Sequence, residues 1–115
     1  MKMVHITLHT ACFEKSLMFY EAIIGLKIER DMRPARNMVF LSDEPGGTCV
    51  ELIEDENAQR IEAPSVSIGF HTENVFDKHS QFEAMGLKVS EIISPSPHVK
   101  FFFVTDPNGL KVQLI

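Results

Sequence analysis

Apolar and polar residues alternate along residues 3–10: Val4, Ile6 and Leu8 fall on one face, His5, Thr7 and His9 on the other. A period of two predicts a β-strand with one face toward a core and the other toward something wet. Phe13, Leu17, Tyr20 and Ile24 follow at helical spacing and predict an amphipathic helix stopped by Gly25. Residues 26–32 and 37–41 predict two further strands broken at Pro34, residues 43–47 a turn, and residues 49–53 a fourth strand with Val50 and Leu52 inward. Residues 54–64 are polar and aperiodic, which predicts a linker.

The order then returns. Strands are expected at 65–71, 87–93, 100–105 and 110–115, with a helix over about 74–85. Asn74 with Asp77 three residues on marks the helix start, and Asp106-Pro-Asn-Gly109 a tight turn. In the last strand Leu110, Val112 and Leu114 point inward, while Lys111, Gln113 and Ile115 take the other face.

Residue identities repeat along with the elements. His5-Ile-Thr-Leu-His9-Thr10 matches Ser67-Ile-Gly-Phe-His71-Thr72, Gly25-Leu-Lys matches Gly86-Leu-Lys, and Phe40-Leu-Ser-Asp43 matches Phe103-Val-Thr-Asp106. The offset is 62 between His9 and His71 but 61 between Gly25 and Gly86, so one residue has slipped within the helix or its exit. Each copy must be one supersecondary unit, and half of a 115-residue chain buries too little to stand alone. The predicted fold is therefore α+β: two βαβββ modules, 1–53 and 65–115, joined by 54–64 in one domain. Each helix covers one face of its sheet. The opposite face carries polar side chains that a core would reject, Thr7, Cys49 and Lys111 among them, and is expected to line a central cleft.

Composition narrows the function. A net charge of −5 without a basic run argues against nucleic acid. No apolar stretch approaches the ~20 residues that span a bilayer, and the start carries no signal-peptide pattern. Cys12 and Cys49 form no paired motif and suit a reducing compartment, so cytoplasm is expected.

With His5, the Ser16-Leu-Met-Phe-Tyr20 helix, Gly25-Leu-Lys, Val50-Glu51-Leu52 and the Asp106-Pro-Asn-Gly109 close in place, the chain resembles the vicinal oxygen chelate superfamily. That group contains glyoxalase I, extradiol dioxygenases, methylmalonyl-CoA epimerase, and the fosfomycin and bleomycin resistance proteins. The resemblance implies strands curving around a cleft and four metal ligands from the first and last strand of each copy. Those positions are His5, Glu51, Ser67 and Gln113. His5 and Glu51 match the glyoxalase-like pattern; Ser67 stands where many members have histidine, and Gln113 where catalytic members have glutamate. A divalent first-row ion (Ni, Zn, Mn, Co or Fe) wants imidazole, carboxylate or water, accepts an amide oxygen less well, and finds a neutral hydroxyl poor. His5, Glu51 and Gln113 are thus the implied metal ligands and Ser67 a substrate-contacting residue.

Glyoxalase-type isomerisation also needs a carboxylate to take a proton beside a carbonyl; Gln113 cannot, which makes Glu51 the implied base. His9 lies four residues from His5 along one strand, about 13 Å at ~3.3 Å per residue, too far to share an ion. His9 and His71 belong at the cleft ends as substrate contacts. The leading expectation is a glyoxalase-like, metal-assisted lyase or isomerase for a small carbonyl or hydroxy-acid-derived compound. The alternative is a metal-free, ligand-sequestering protein like the bleomycin resistance group, and an extradiol dioxygenase ranks last because Ser67 removes a histidine. Arg30, Arg33 and Arg36 could receive an anion or form a solvated loop. The resemblance also implies a homodimer, small-molecule ligands, and no membrane or nucleic-acid partner.

Overall fold

The computed structural model describes residues 1–115 and divides into two compact units, Met1–Arg60 and Ile61–Ile115. The first unit holds β1 (His5–Thr10), α1 (Phe13–Met18), β2 (Lys27–Asp31), β3 (Met38–Ser42) and β4 (Cys49–Glu54). The second holds β5 (Ser67–Phe70), α2 (Val75–Ala84), β6 (Ile93–Ser96), β7 (Val99–Thr105) and β8 (Lys111–Leu114). Their sheets run β1-β4-β3-β2 and β5-β8-β7-β6. In each the first and last strands pair in parallel and the rest antiparallel. This is the duplicated α+β architecture, βαβββ written twice.

The slipped residue has a definite place. After α1 the chain continues as a π-helical turn, Phe19–Ile23, instead of the single α-helix that the periodicity predicts. The backbone N–H of Leu26 reaches back to the Tyr20 carbonyl, six residues away, whereas Leu87 reaches back to Phe82, five away. Tyr20 and Phe82 are equivalent at offset 62, and Leu26 and Leu87 at offset 61. A wide turn absorbs one extra residue without breaking the helix, so Tyr20 keeps its fully buried place.

Elsewhere the edges differ from the periodicity. The first strand starts at His5, not residue 3, and Val4, expected inward, is 57% exposed. In the second unit the strand expected over 87–93 is displaced to Ile93–Ser96, leaving only an isolated bridge from Val89 to Val104. Ser90 explains the displacement. Its N–H still donates to the Phe103 carbonyl, but the returning Phe103 N–H goes to the Ser90 hydroxyl and the Ser90 carbonyl bonds the His79 ring, so one half of the ladder is diverted to side chains there.

Local chemistry sets the other ends. Asn74 caps α2 by accepting from the Asp77 N–H at 3.0 Å. The buried Asp106 carboxylate accepts from the N–H groups of Asn108 and Leu110, both at 2.8 Å, and builds the turn before β8. Leu8, Phe13, Leu17, Phe19, Tyr20, Leu26, Val39, Leu41, Val50 and Leu52 form the buried apolar set of the first unit; Phe82, Phe102, Val104, Leu110, Val112 and Leu114 form that of the second. Of the three consecutive phenylalanines only Phe102 lies in the core. Phe101 and Phe103 share the opposite face as an edge-to-face pair 5.6 Å apart.

Candidate functional site

Strand register brings the expected residues of the first unit onto one face. β1 and β4 pair His5 with Cys49, Thr7 with Glu51 and His9 with Ile53, while β3 sets Phe40 opposite Glu51. Paired residues share a face of the sheet. His5 therefore stands one diagonal step from Glu51, with Thr7 beside the carboxylate. The Thr7 hydroxyl donates to Glu51 Oε1 at 3.0 Å, and Glu51 is only 7% exposed. The exposed His5 ring meets Phe40 edge-on at 6.1 Å.

Glu29 and Arg30 also join this face; the sequence gives no signal for Glu29 and offers Arg30 only as part of an arginine cluster. A bulge between Ile28 and Arg30 lets two consecutive side chains of β2 serve the same side. Arg30 lies over the Phe40 ring at 5.2 Å. The Glu29 carboxylate is held by the Ser42 hydroxyl at 2.7 Å, the Gly46 N–H at 3.0 Å and the Cys49 thiol at 3.4 Å. The Ser42 bond most of all, then those from Gly46 and Cys49, keeps Glu29 below the ordinary carboxylate range. Burial first, and then the thiol's bond to Glu29, pushes Cys49 up, which suits a donor and not a nucleophile.

The equivalent positions of the second unit read differently. β5 pairs Ser67 with Lys111 and Gly69 with Gln113, and β7 places Phe103 opposite Gln113. Lys111 Nζ sits 4.7 Å from the centre of the Phe103 ring. Ser67 and His71 are exposed on β5 and just past its end. His71 also borders an open cavity of about 510 Å³ with Phe76, His98, Lys100 and Ile115. In the first unit His9 approaches the Asp55 carboxylate at 3.7 Å and is exposed.

Two of the arginines that the sequence leaves open as an anion cluster or a solvated loop have other tasks. Arg30 packs on Phe40, and Arg33 donates to both oxygens of Asp31, at 2.9 and 2.7 Å. These bonds, with the Arg33 backbone N–H, hold the Asp31 carboxyl down at about 2. A depressed carboxylate adds stability that is present above its unfolded value near 3.9 and fades as pH falls through about 2. Carbon-detected NMR titration is expected to find the Asp31 midpoint near 2, and Arg33→Ala to return it toward the unfolded value. An unchanged midpoint in the variant would show that the fork does not set it.

No group of three or more His, Cys, Asp and Glu side chains gathers in a way that could hold a metal ion. Of the four positions that the family resemblance implies as ligands, the first face holds one imidazole and one carboxylate, His5 and Glu51, and both are types that first-row divalent ions take.

Residues 2–114 match the model of the Glyoxalase/Bleomycin resistance protein/Dioxygenase superfamily. The chain belongs to this superfamily. Lactoylglutathione lyases of Neisseria meningitidis serogroups A and B are 26% identical to it over 124 residues, covering all of this chain and 90% of theirs. Among solved structures, the trypanothione-dependent glyoxalase I of Leishmania major superposes with a TM-score of 0.80 at 20% identity, over 100% of this chain and 86% of that one. An integron cassette protein from the Halifax Harbour sewage outfall metagenome does so with a TM-score of 0.76 at 21% identity, over 98% and 96%. At such identities the structural likenesses speak for the fold, and this glyoxalase-superfamily fold hosts more than one chemistry.

Proposed function

We propose that this superfamily member is a glyoxalase-like lyase or isomerase acting on a small carbonyl or hydroxy-acid-derived compound, with Glu51 moving the proton. The observation that carries this reading is Glu51 itself: a buried carboxylate on the polar face of its sheet, fixed through one oxygen by Thr7 and one diagonal step from His5. A carboxylate so placed can take a proton from a carbon next to a carbonyl and return it to the neighbouring carbon. Thr7 keeps the carboxylate in one orientation. Phe40, with Arg30 on its ring, bounds the space beside it.

His5 and Glu51 are the residues that would hold a divalent ion, Ni, Zn, Mn, Co or Fe, and Gln113 is the family position whose amide oxygen would add a weaker donor. Such an ion, when bound, supplies polarisation of a substrate oxygen. Thr7, His9, Cys49, Ser67, His71 and Lys111 are the proposed substrate contacts. A homodimer in the cytoplasm completes the reading by resemblance to the family.

A second reading, sequestration of an organic ligand without turnover, draws on the second unit. There the positions equivalent to His5 and Glu51 are Ser67 and Gln113, a poor and a weak ligand for a divalent ion and neither a base for a carbon-bound proton. Calorimetry separates the two. The stripped protein is titrated with Ni, Zn, Mn, Co and Fe(II) in turn, beside His5→Ala. The enzyme reading expects stoichiometric binding of at least one ion, weakened about tenfold or more in the variant, and turnover in a dicarbonyl screen. Identical titrations for both proteins, with no turnover, would leave sequestration.

A further inference from the structure

The two polar faces are built on the same positions and have diverged in opposite directions. Across three strands the first unit aligns Thr7, Glu51 and Phe40, and the second aligns Gly69, Gln113 and Phe103. Gly69 has no hydroxyl where the first face has Thr7, and Gln113 no charge where it has Glu51. Cys49 is replaced by Lys111, which is drawn onto the Phe103 ring. The first face carries two carboxylates, Glu29 and Glu51. By alternation β5, β7 and β8 place Ser67, Gly69, Val99, Phe101, Phe103, Thr105, Lys111 and Gln113 on the second face, and none of these is acidic.

We propose that the second face is a recognition platform for an organic anion with a flat apolar body. The body lies over Gly69 and Gln113 against Phe103, and the carboxylate meets Lys111. The proposal rests on the enzyme reading above only in that it names the substrate class for the same protein.

Three features support it. Gly69 is exposed in the middle of a strand, where glycine weakens the sheet and commonly marks a close approach to backbone. Its φ is unexceptional, so the turn-forming freedom of glycine is not what the position uses. A Cβ there would stand 3.3 Å from Gln113 Oε1, so a larger residue would fill the space and push the amide aside.

The second feature is the cation. The ion pairs of the protein are Arg33 with Asp31 and His9 with Asp55, and Lys111 belongs to neither. Its ammonium rests on an aromatic ring, an arrangement that keeps the charge at an apolar surface and leaves its hydrogen-bond donors for a ligand.

The third is the span. Gly69, Gln113 and Phe103 sit on neighbouring strands, so the row measures roughly 10 Å at ~4.8 Å per strand step, the length of an aryl 2-oxo acid. The Phe101–Phe103 pair supplies a rigid apolar wall at one end, and the Gly69 backbone with the Gln113 amide beside it supplies a low floor at the other.

The test uses benzoylformate (ring and charge), pyruvate (charge without ring) and acetophenone (ring without charge), titrated calorimetrically into the intact protein. Benzoylformate is expected to bind at least about tenfold more tightly than either of the others. Lys111→Met and Gly69→Thr are each expected to weaken benzoylformate by about tenfold or more, the worth of one charge-assisted bond or of the lost space. Lys88→Met removes the same charge from an exposed site and controls for net charge, with a change within about twofold.

Similar affinities for the three probes would overturn the platform, as would absent benzoylformate binding at millimolar concentration. Unchanged affinity in both variants would do the same. Circular dichroism and a urea midpoint confirm that each variant folds; if Gly69→Thr does not, Lys111→Met and the probe series still decide. Loss of turnover in Glu51→Gln, with KM and Kd unmoved in the two platform variants, would sink the platform and spare the enzyme reading. Weakened binding in those variants, with turnover intact in Glu51→Gln, would do the opposite.

Discussion

Glu51→Gln is expected to lower turnover of a small dicarbonyl substrate by about 100- to 10,000-fold, the range that a positioned general base contributes. The substitution keeps the shape and lets the amide oxygen still accept from the Thr7 hydroxyl, now at 3.0 Å from Oε1. What disappears is the capacity to take a proton, so the loss should fall on kcat more than on KM. Glu51→Asp keeps the proton chemistry but withdraws the carboxylate by one methylene, and is expected to retain intermediate activity. Single-turnover and steady-state kinetics with the three proteins provide the measurement. Equal kcat in wild type and Glu51→Gln would remove Glu51 from the proton path and with it the enzyme reading. A fall in kcat in Thr7→Val, smaller than that of Glu51→Gln and without a matching rise in KM, would mark Thr7 as a positioning residue.

Phe102→Ala carries the largest expected cost in stability, about 3–5 kcal/mol from the lost transfer energy and the cavity left behind. Phe102 is fully buried, with Phe82 at 5.9 Å and His79 at 5.0 Å, both edge-on, so it joins β7 to α2. A domain of this size has only ~5–15 kcal/mol in total, so the variant is expected to be largely unfolded at 37 °C. Urea and thermal denaturation check this. The neighbouring Phe101→Ala, on the opposite face and half-buried, should cost much less. A loss below ~1 kcal/mol for Phe102→Ala would contradict the core assigned to the second unit.

The two outcomes sit at opposite ends of what a sequence can show. Phe102 lies in an unbroken run, Phe101-Phe102-Phe103, where periodicity cannot choose the inward ring. Pairing of Phe102 with Leu114 chooses it, because Leu114 is inward on the clearly alternating β8. Glu51 was legible at once, since Val50 and Leu52 on either side leave it only the polar face.

Glu29 and Arg30 were not legible. Strict alternation in β2 would separate them, and the bulge that puts both to use is a property of pairing with β3. The displaced β6 has a similar origin. Ser90 looks like any strand residue until its hydroxyl and carbonyl take their partners from Phe103 and His79, which lie 13 and 11 residues away.

The sequence by itself determined the duplication, the βαβββ order, the one-residue slip, the core faces of β1, β4 and β8, and the superfamily. Each of these rests on local periodicity or on self-similarity, which need no knowledge of distant contacts. Tertiary structure alone decided that the slip is a π-helical turn and that Glu29 is clamped at Cys49. It also decided that the arginines are divided between Asp31 and Phe40, and that Lys111 lies on Phe103 beside the bare backbone of Gly69. The clamp on Glu29 and the ring contacts of Arg30 and Lys111 depend on strand register, and register is set by pairing between segments that the linear pattern keeps far apart.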